Sequence, residues 1–278
     1  MVNGQIVNEI ISSVQNPRIK QLLALQQKSS ERRKTGLFVV EGQRELQHCI
    51  DAGLQIDTIF HCPDMAPNFQ LSTFNFQLTP VSPYVYEKIA YRGSTEGIIA
   101  VVKTPKSSLT TLPLKGAEGA LYVVLERVEK PGNLGAILRS ADSAGVTAVI
   151  VCDPLTDLYN PNLIRSSIGA IFTVPTVACT SEECIAWLKQ QGVQILTAQL
   201  QDSNLYYDTD MRRPTAIVMG TESTGLTPIW REAADAHIRI PMLGRLDSLN
   251  VSVSAAILMY EAVRQRGASS SNSSIGED

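Results

Sequence analysis

The apolar residues of the second half of this chain fall into short, nearly continuous runs rather than alternating ones. Leu121-Tyr122-Val123-Val124-Leu125, Ala148-Val149-Ile150-Val151-Cys152 and Thr215-Ala216-Ile217-Val218-Met219 are the clearest. Runs of that length suit strands buried on both faces, and the stretches between them carry helical spacing. The pattern predicts strand 121–125, helix 134–144, strand 147–152, a helix near 161–168, strand 171–174 and helix 181–191. It continues with strands 193–197 and 215–219, helix 228–234, strand 237–240 and helix 250–265. Such alternation implies an α/β fold with a mainly parallel sheet covered on both sides.

The first hundred residues read as a smaller α/β unit. Ile19, Leu22, Leu23 and Leu25 give residues 17–30 helical spacing. A strand at 37–40, a turn at Gly42, a helix from Glu45 to Ala52 closed by Gly53, and strands at 56–60 and 97–102 follow. From Lys103 to Gly119, prolines, glycines and hydroxyls interrupt every period, which marks a linker over 104–119. The chain thus divides into residues 1–103, the linker, and residues 120–266. The serine-rich 267–278 stretch has nothing apolar to bury and is expected to be disordered.

Composition narrows the chemistry. An apolar share of 44% over 278 residues is enough for buried cores in both units. No apolar run is long enough to span a bilayer and the N-terminus lacks a signal pattern, so a cytoplasmic location is expected. Five cysteines without a C-x-x-C pair, and three scattered histidines, point to buried thiols and to no metal. The net charge of −3 argues against indiscriminate coating of nucleic acid. Even so, Arg18, Arg32, Arg33 and Lys34 cluster near the N-terminus; they form either a solvated helix face or a phosphate-binding patch.

Candidate chemistry gathers at strand ends, where open parallel sheets bind their ligands. Strand 121–125 runs into Pro131-Gly132-Asn133-Leu134-Gly135, with Arg139 further along the helix. Strand 215–219 runs into Gly220-Thr221-Glu222, and strand 237–240 runs through Pro241 into Ser248-Leu249-Asn250. Asn133 can cap a helix, and Arg139 alone would be an ordinary surface arginine. Glu222 can cap backbone amides or face a ligand. Arg165 beside Ser166 and Ser167 offers a second guanidinium for a phosphodiester. Neither a G-x-G-x-x-G nor a P-loop is present, so the cleft is not an ordinary nucleotide site.

Taken in order, Asn133-Leu134-Gly135 with Arg139, then Ile217-Val218-Met219-Gly220-Thr221-Glu222 with Gly225-Leu226, then Ile240-Pro241-Met242 with Ser248-Leu249-Asn250-Val251-Ser252, resemble the three motifs of the SpoU/TrmH family of RNA 2′-O-ribose methyltransferases. Ser223 and Thr224 depart from the family's usual wording, as does the loop with Arg245, Leu246 and Asp247. Phe38-Val39-Val40-Glu41-Gly42 and Gly97-Ile98-Ile99-Ala100-Val101 resemble the ribosomal-protein-like RNA-binding domain carried by many members.

The resemblance implies methyl transfer from S-adenosylmethionine to a ribose 2′-hydroxyl of RNA, ribosomal RNA above transfer RNA, in a homodimer whose C-terminal segment forms a deep trefoil knot. It implies catalytic roles for Arg139, Asn133, Glu222, Asn250 and Ser248. Cofactor contacts are expected at Thr197, Ala198, Gly220, Ile240 and Leu249, and RNA contacts at Arg18, Arg32, Arg33, Lys34 and Arg165. The alternatives are a transfer-RNA methyltransferase and a non-catalytic RNA-binding dimer of the same fold.

Overall fold

The computed structural model describes residues 9–67, 76, 78–91, 96–113, 119–220, 225–246 and 248–271. They form two compact units, the first from the N-terminal residues to Pro105 together with Asp157–Gly169, the second from Lys106–Thr156 and the residues from Ala170 onward.

In the first unit, α1 (Pro17–Gln27) and α2 (Ser29–Thr35) precede β1 (Leu37–Glu41), α3 (Gln43–Asp51) and β2 (Ile56–His61). Then come β3 (Leu78–Pro80), α4 (Pro83–Ile89) and β4 (Ile98–Lys103). The sheet order is β1-β4-β2-β3, antiparallel except for the β2–β3 pair. Val39 and Val101 pack with Ile19, Leu22 and Leu25 of α1. Strand alternation turns Phe38 to the opposite face, where it stacks on Tyr159 with ring centroids 4.5 Å apart. The segment that carries Tyr159 and α6 (Pro161–Ser166) therefore packs on this unit rather than on its sequence neighbours.

The single helix expected over 17–30 is two helices. Lys28 is extended (φ −119°, ψ 114°). The reason is Arg32, whose guanidinium donates to the carbonyls of Leu25 and Gln26 at the end of α1 and pairs with Asp157 Oδ2 at 2.6 Å. Those carbonyls would otherwise lack partners at a helix end.

The second unit holds β5 (Leu121–Glu126), α5 (Pro131–Ser143), β6 (Ala148–Cys152), α7 (Ala170–Thr173), β7 (Thr176–Cys179), α8 (Ser181–Gln190) and β8 (Gln194–Ala198). It continues through β9 (Asn204–Leu205), β10 (Thr215–Met219), α9 (Pro228–Ala233), β11 (Ala236–Arg239) and α10 (Val251–Ser271). The seven strands run in the order β7-β6-β5-β10-β8-β11-β9, and every pair is parallel. Tyr122, Val124, Ala216 and Val218 pack under Trp187 of α8 and Trp230 of α9. The intervening residues face the other side, where α5 and α10 pack together.

Two expectations change here. Residues 171–174 are not a strand: Val174 N–H bonds Ala170 O in a helical turn, Thr173 Oγ1 donates to Asp142 of α5, and the strand starts after Pro175. The β-branched run lost to its tertiary surroundings. The tail read as disordered from Gly267 also begins inside α10, which continues to Ser271; residues 272–278 lie outside the described residues. Arg266 anchors that end by donating to the carbonyls of Met211, Gly119, Ala120 and Arg213. Burial pushes its pKa down, and four accepting carbonyls offset that desolvation. No helix among the described residues is long and apolar enough to cross a membrane.

Candidate functional site

The carboxyl ends of β8, β10 and β11 open into a cleft. Ala198, Gln199 and Leu200 follow β8, Met219 and Gly220 end β10, and Ile240 follows β11. The larger part has a volume of about 400 Å³ and is also lined by Gly225, Leu226, Arg231, Ser248, Leu249 and Val251. An adjoining part reaches Ile238, Arg239, Met242 and Leu258 and shares Ala198 to Leu200, Ser248, Leu249 and Ser254. A volume of that order suits a small organic ligand of cofactor size.

Gly220 is required at the floor. A Cβ there would lie 2.5 Å from the Gly225 carbonyl carbon and 2.6 Å from the Leu226 nitrogen. The chain leaving β10 thus returns against its own strand end, and only glycine lets the two backbones meet. Gly225 itself has φ +68°. The returning chain is then fixed at Thr227, whose N–H and hydroxyl donate to the Glu126 carboxylate at 2.8 and 2.5 Å. Glu126, buried at the end of β5, accepts also from Ser181 Oγ at 3.3 Å.

α5 is tied to the cleft's border through Asn133, the hydrogen-bond partner of Asn250, whose neighbours Leu249 and Val251 line the cleft. Leu134, Ile137, Leu138 and Ala141 are buried, while Asn133 is half-buried and Arg139 exposed. The Arg139 guanidinium enters no ion pair among the described residues. Asn250 stands at the start of α10: its Oδ1 accepts from Ser252 N–H at 2.9 Å and from Ser252 Oγ at 2.6 Å. Its Nδ2 donates to Asn133 Oδ1 at 3.2 Å. The two asparagines named from separate motifs, 117 positions apart, are thereby joined.

Of the expected cofactor contacts, Ala198, Gly220, Ile240 and Leu249 line the cleft, as does Ser248. Thr197 lies one residue back, buried, with its hydroxyl 2.6 Å from His237 Nδ1. Glu222 lies outside the described residues. Gln199 and Leu200 also line the cleft without having been expected, although they continue the β8 end where open parallel sheets bind ligands; Met242, quoted above within the third motif but given no role, lines it too.

Among the expected RNA contacts, Arg33 and Lys34 are exposed at the end of α2, and Arg18 is half-buried at the start of α1. Arg32 is a correction. It is 4% exposed and committed to Asp157 and the α1 carbonyls, so it holds the first unit together and does not face a phosphate. Arg165 is exposed on α6, with Nη1 3.2 Å from the Tyr91 carbonyl.

Comparison with known proteins places this site in context. The model of the SpoU rRNA Methylase family matches residues 120–260, and that of an MRM3-like substrate binding domain matches residues 16–100. A 23S rRNA (uridine(2479)-2′-O)-methyltransferase of Streptomyces viridochromogenes is 31% identical over 90% of this chain and 91% of its own length. The 23S rRNA (guanosine(2553)-2′-O)-methyltransferase RlmP of Bacillus subtilis is 28% identical over 90% of this chain and 97% of its own. The crystal structure of an AdoMet-bound rRNA methyltransferase from Sinorhizobium meliloti superposes with a TM-score of 0.83 at 30% identity, covering 92% of this chain and 97% of that one.

Proposed function

The chain belongs to the SpoU rRNA methylase family, and from that premise we propose that it transfers a methyl group from S-adenosylmethionine to a ribose 2′-hydroxyl of ribosomal RNA. The observation that carries this reading is the convergence of one cleft, at the ends of β8, β10 and β11, with the Asn133–Asn250 pair on its flank.

The residues present fit the cofactor. The cleft combines apolar walls at Leu200, Leu226, Ile240 and Leu249 with main-chain groups at three strand ends, and Gly220 removes the side chain that would fill its floor. Ala198, Gly220, Ile240 and Leu249 would hold the donor, chiefly through backbone groups that need no side chain to be desolvated. When bound, S-adenosylmethionine supplies an electrophilic methyl group on a sulfonium centre.

The protein's own part is to align the ribose oxygen and to stabilise the charge that develops as its proton leaves. A guanidinium is a poor base, since it stays protonated at ordinary pH. Arg139 therefore acts as a fixed positive charge beside the forming alkoxide and the RNA phosphate. Its exposure, with no ion pair to it among the described residues, supports this role. Asn133 and Asn250 orient the ribose and its phosphate, each holding the other's amide in place. Ser248, on the cleft wall, and Glu222 contribute orienting contacts.

The finer features belong to the same proposal. Arg18, Arg33, Lys34 and Arg165 give RNA a cationic surface, with the 1–103 domain as substrate-binding module. The chain through residues 240–250 and α10 forms the trefoil knot around the donor, and the protein acts as a cytoplasmic homodimer. Val253, Tyr260 and Val263 leave apolar surface exposed on α10, at 47%, 49% and 37%, which favours a second copy there.

Calorimetric titration with S-adenosylmethionine, followed by methylation of separate ribosomal and transfer RNA pools, tests the reading. Saturable donor binding with label in ribosomal RNA is expected. No donor binding would reduce the protein to an RNA-binding dimer, and label confined to transfer RNA would overturn the substrate.

A further inference from the structure

Three of the five cysteines meet away from the cleft. Cys152 ends β6, Cys179 ends β7 as its register partner, and Cys184 lies in the first turns of α8. The Cys152 and Cys179 sulfurs are 4.0 Å apart, and all three sulfurs lie within 4.8 Å of one another. None is in a disulfide. Cys152 and Cys184 are buried and Cys179 is half-buried, which leaves one side of the triangle accessible.

That geometry is specific. Sulfurs bound at about 2.3 Å to one tetrahedral or trigonal ion stand about 3.8–4.0 Å apart, the separation found here for the first pair. A disulfide would require two sulfurs to close to about 2 Å. We propose that Cys152, Cys179 and Cys184 form a thiolate site for a thiophilic divalent cation of the zinc type, with solvent at the half-open side as fourth ligand.

The charge balance is simple: three thiols that bind a dication as thiolates release three protons and give a three-sulfur complex of net charge −1. The N-terminus of α8, ten residues long and starting beside Cys179, offsets that negative charge. Asp153 and Glu183 oppose it, but each is committed to hydrogen bonds: Asp153 with Ser181, Glu183 with the Thr180 N–H. The bound ion would clamp the edge strand β7 to β6 and α8. The inference is independent of the methyl-transfer reading, since none of the three cysteines lines the cleft.

The test is anaerobic titration of the full-length reduced protein with Co²⁺ as a spectroscopic probe, then displacement by Zn²⁺. One equivalent should bind with a sulfur-to-cobalt charge-transfer band, and Zn²⁺ should bleach it and raise the melting temperature. Losing a group behind a metal ligand already costs about ten- to a hundredfold in affinity, so Cys179→Ser, the least buried substitution, should weaken binding by at least about a hundredfold. Circular dichroism establishes that the variant is folded; if it is not, Cys184→Ala takes its place. Cys49→Ser and Cys62→Ser should bind like the parent. A folded parent without the thiolate band, a band that survives both Cys179→Ser and Cys184→Ala, or a disulfide formed in place of the bound ion would each overturn the proposal.

Discussion

Asn250 Nδ2 donates to Asn133 Oδ1 across 3.2 Å, linking the start of α10 to the first turn of α5. Asn250 is also the cap of its own helix through Oδ1, so its two amide atoms do separable work. Asn250→Asp keeps the accepting oxygen and loses the donor. It should melt within about 0.5 kcal/mol of the parent yet lose most methyl transfer. Asn250→Ala should lose both, costing about 1 kcal/mol of stability. Thermal melts alongside initial rates check this, and an Asn250→Asp variant of full activity would remove the pair from the mechanism.

Arg139 projects from a helix whose opposite face is buried, and among the described residues it enters no ion pair. Replacing it removes charge without disturbing the fold. Arg139→Ala should lower kcat by about 10²–10³-fold, the cost of one donor to a developing oxyanion, while affinity for S-adenosylmethionine measured by calorimetry stays unchanged. Unaltered turnover would contradict the assigned role.

Gly220→Ala places a methyl group 2.5–2.6 Å from the backbone of Gly225 and Leu226. Backbone cannot rotate away as a side chain does, so the returning loop must shift. A stability loss of about 1–3 kcal/mol is expected, together with loss of donor binding. Calorimetry showing parental affinity in this variant would detach the cleft floor from cofactor recognition.

Arg32 and Arg33 are neighbours with opposite fates. Arg32→Ala strands the Asp157 carboxylate and should cost about 3 kcal/mol or more, lowering the melting temperature. Arg33→Ala should leave stability within about 0.5 kcal/mol while weakening RNA binding and reducing its dependence on salt. Chemical denaturation and filter binding across a salt series separate the two; reversed phenotypes would contradict the burial pattern.

The strands and most helices of the second unit were legible because burial on both faces leaves continuous apolar runs; Ala198, Gly220, Ile240 and Leu249 came instead from the motif resemblance, and they line the cleft. Relations between distant segments were not legible. Nothing local in Arg32 announces a partner at Asp157, 125 positions away, and its charge read as a surface feature. The 157–169 segment follows β6 in the chain but packs elsewhere, through Tyr159 on Phe38. Cys152 and Cys179 are brought together only by strand register, which no spacing motif encodes. Residues 171–174 read as a strand because β-branched and aromatic residues favour one, until Pro175 and contact with α5 decided for a helical turn.

The most direct test of the account is the position of the transferred methyl group. The protein is incubated with 23S ribosomal RNA and S-adenosylmethionine carrying a labelled methyl, and the RNA is digested to nucleosides for mass spectrometry. Label on the ribose of a single nucleotide, absent with Arg139→Ala, is the predicted result. Label on a base, or none in ribosomal RNA, would contradict it.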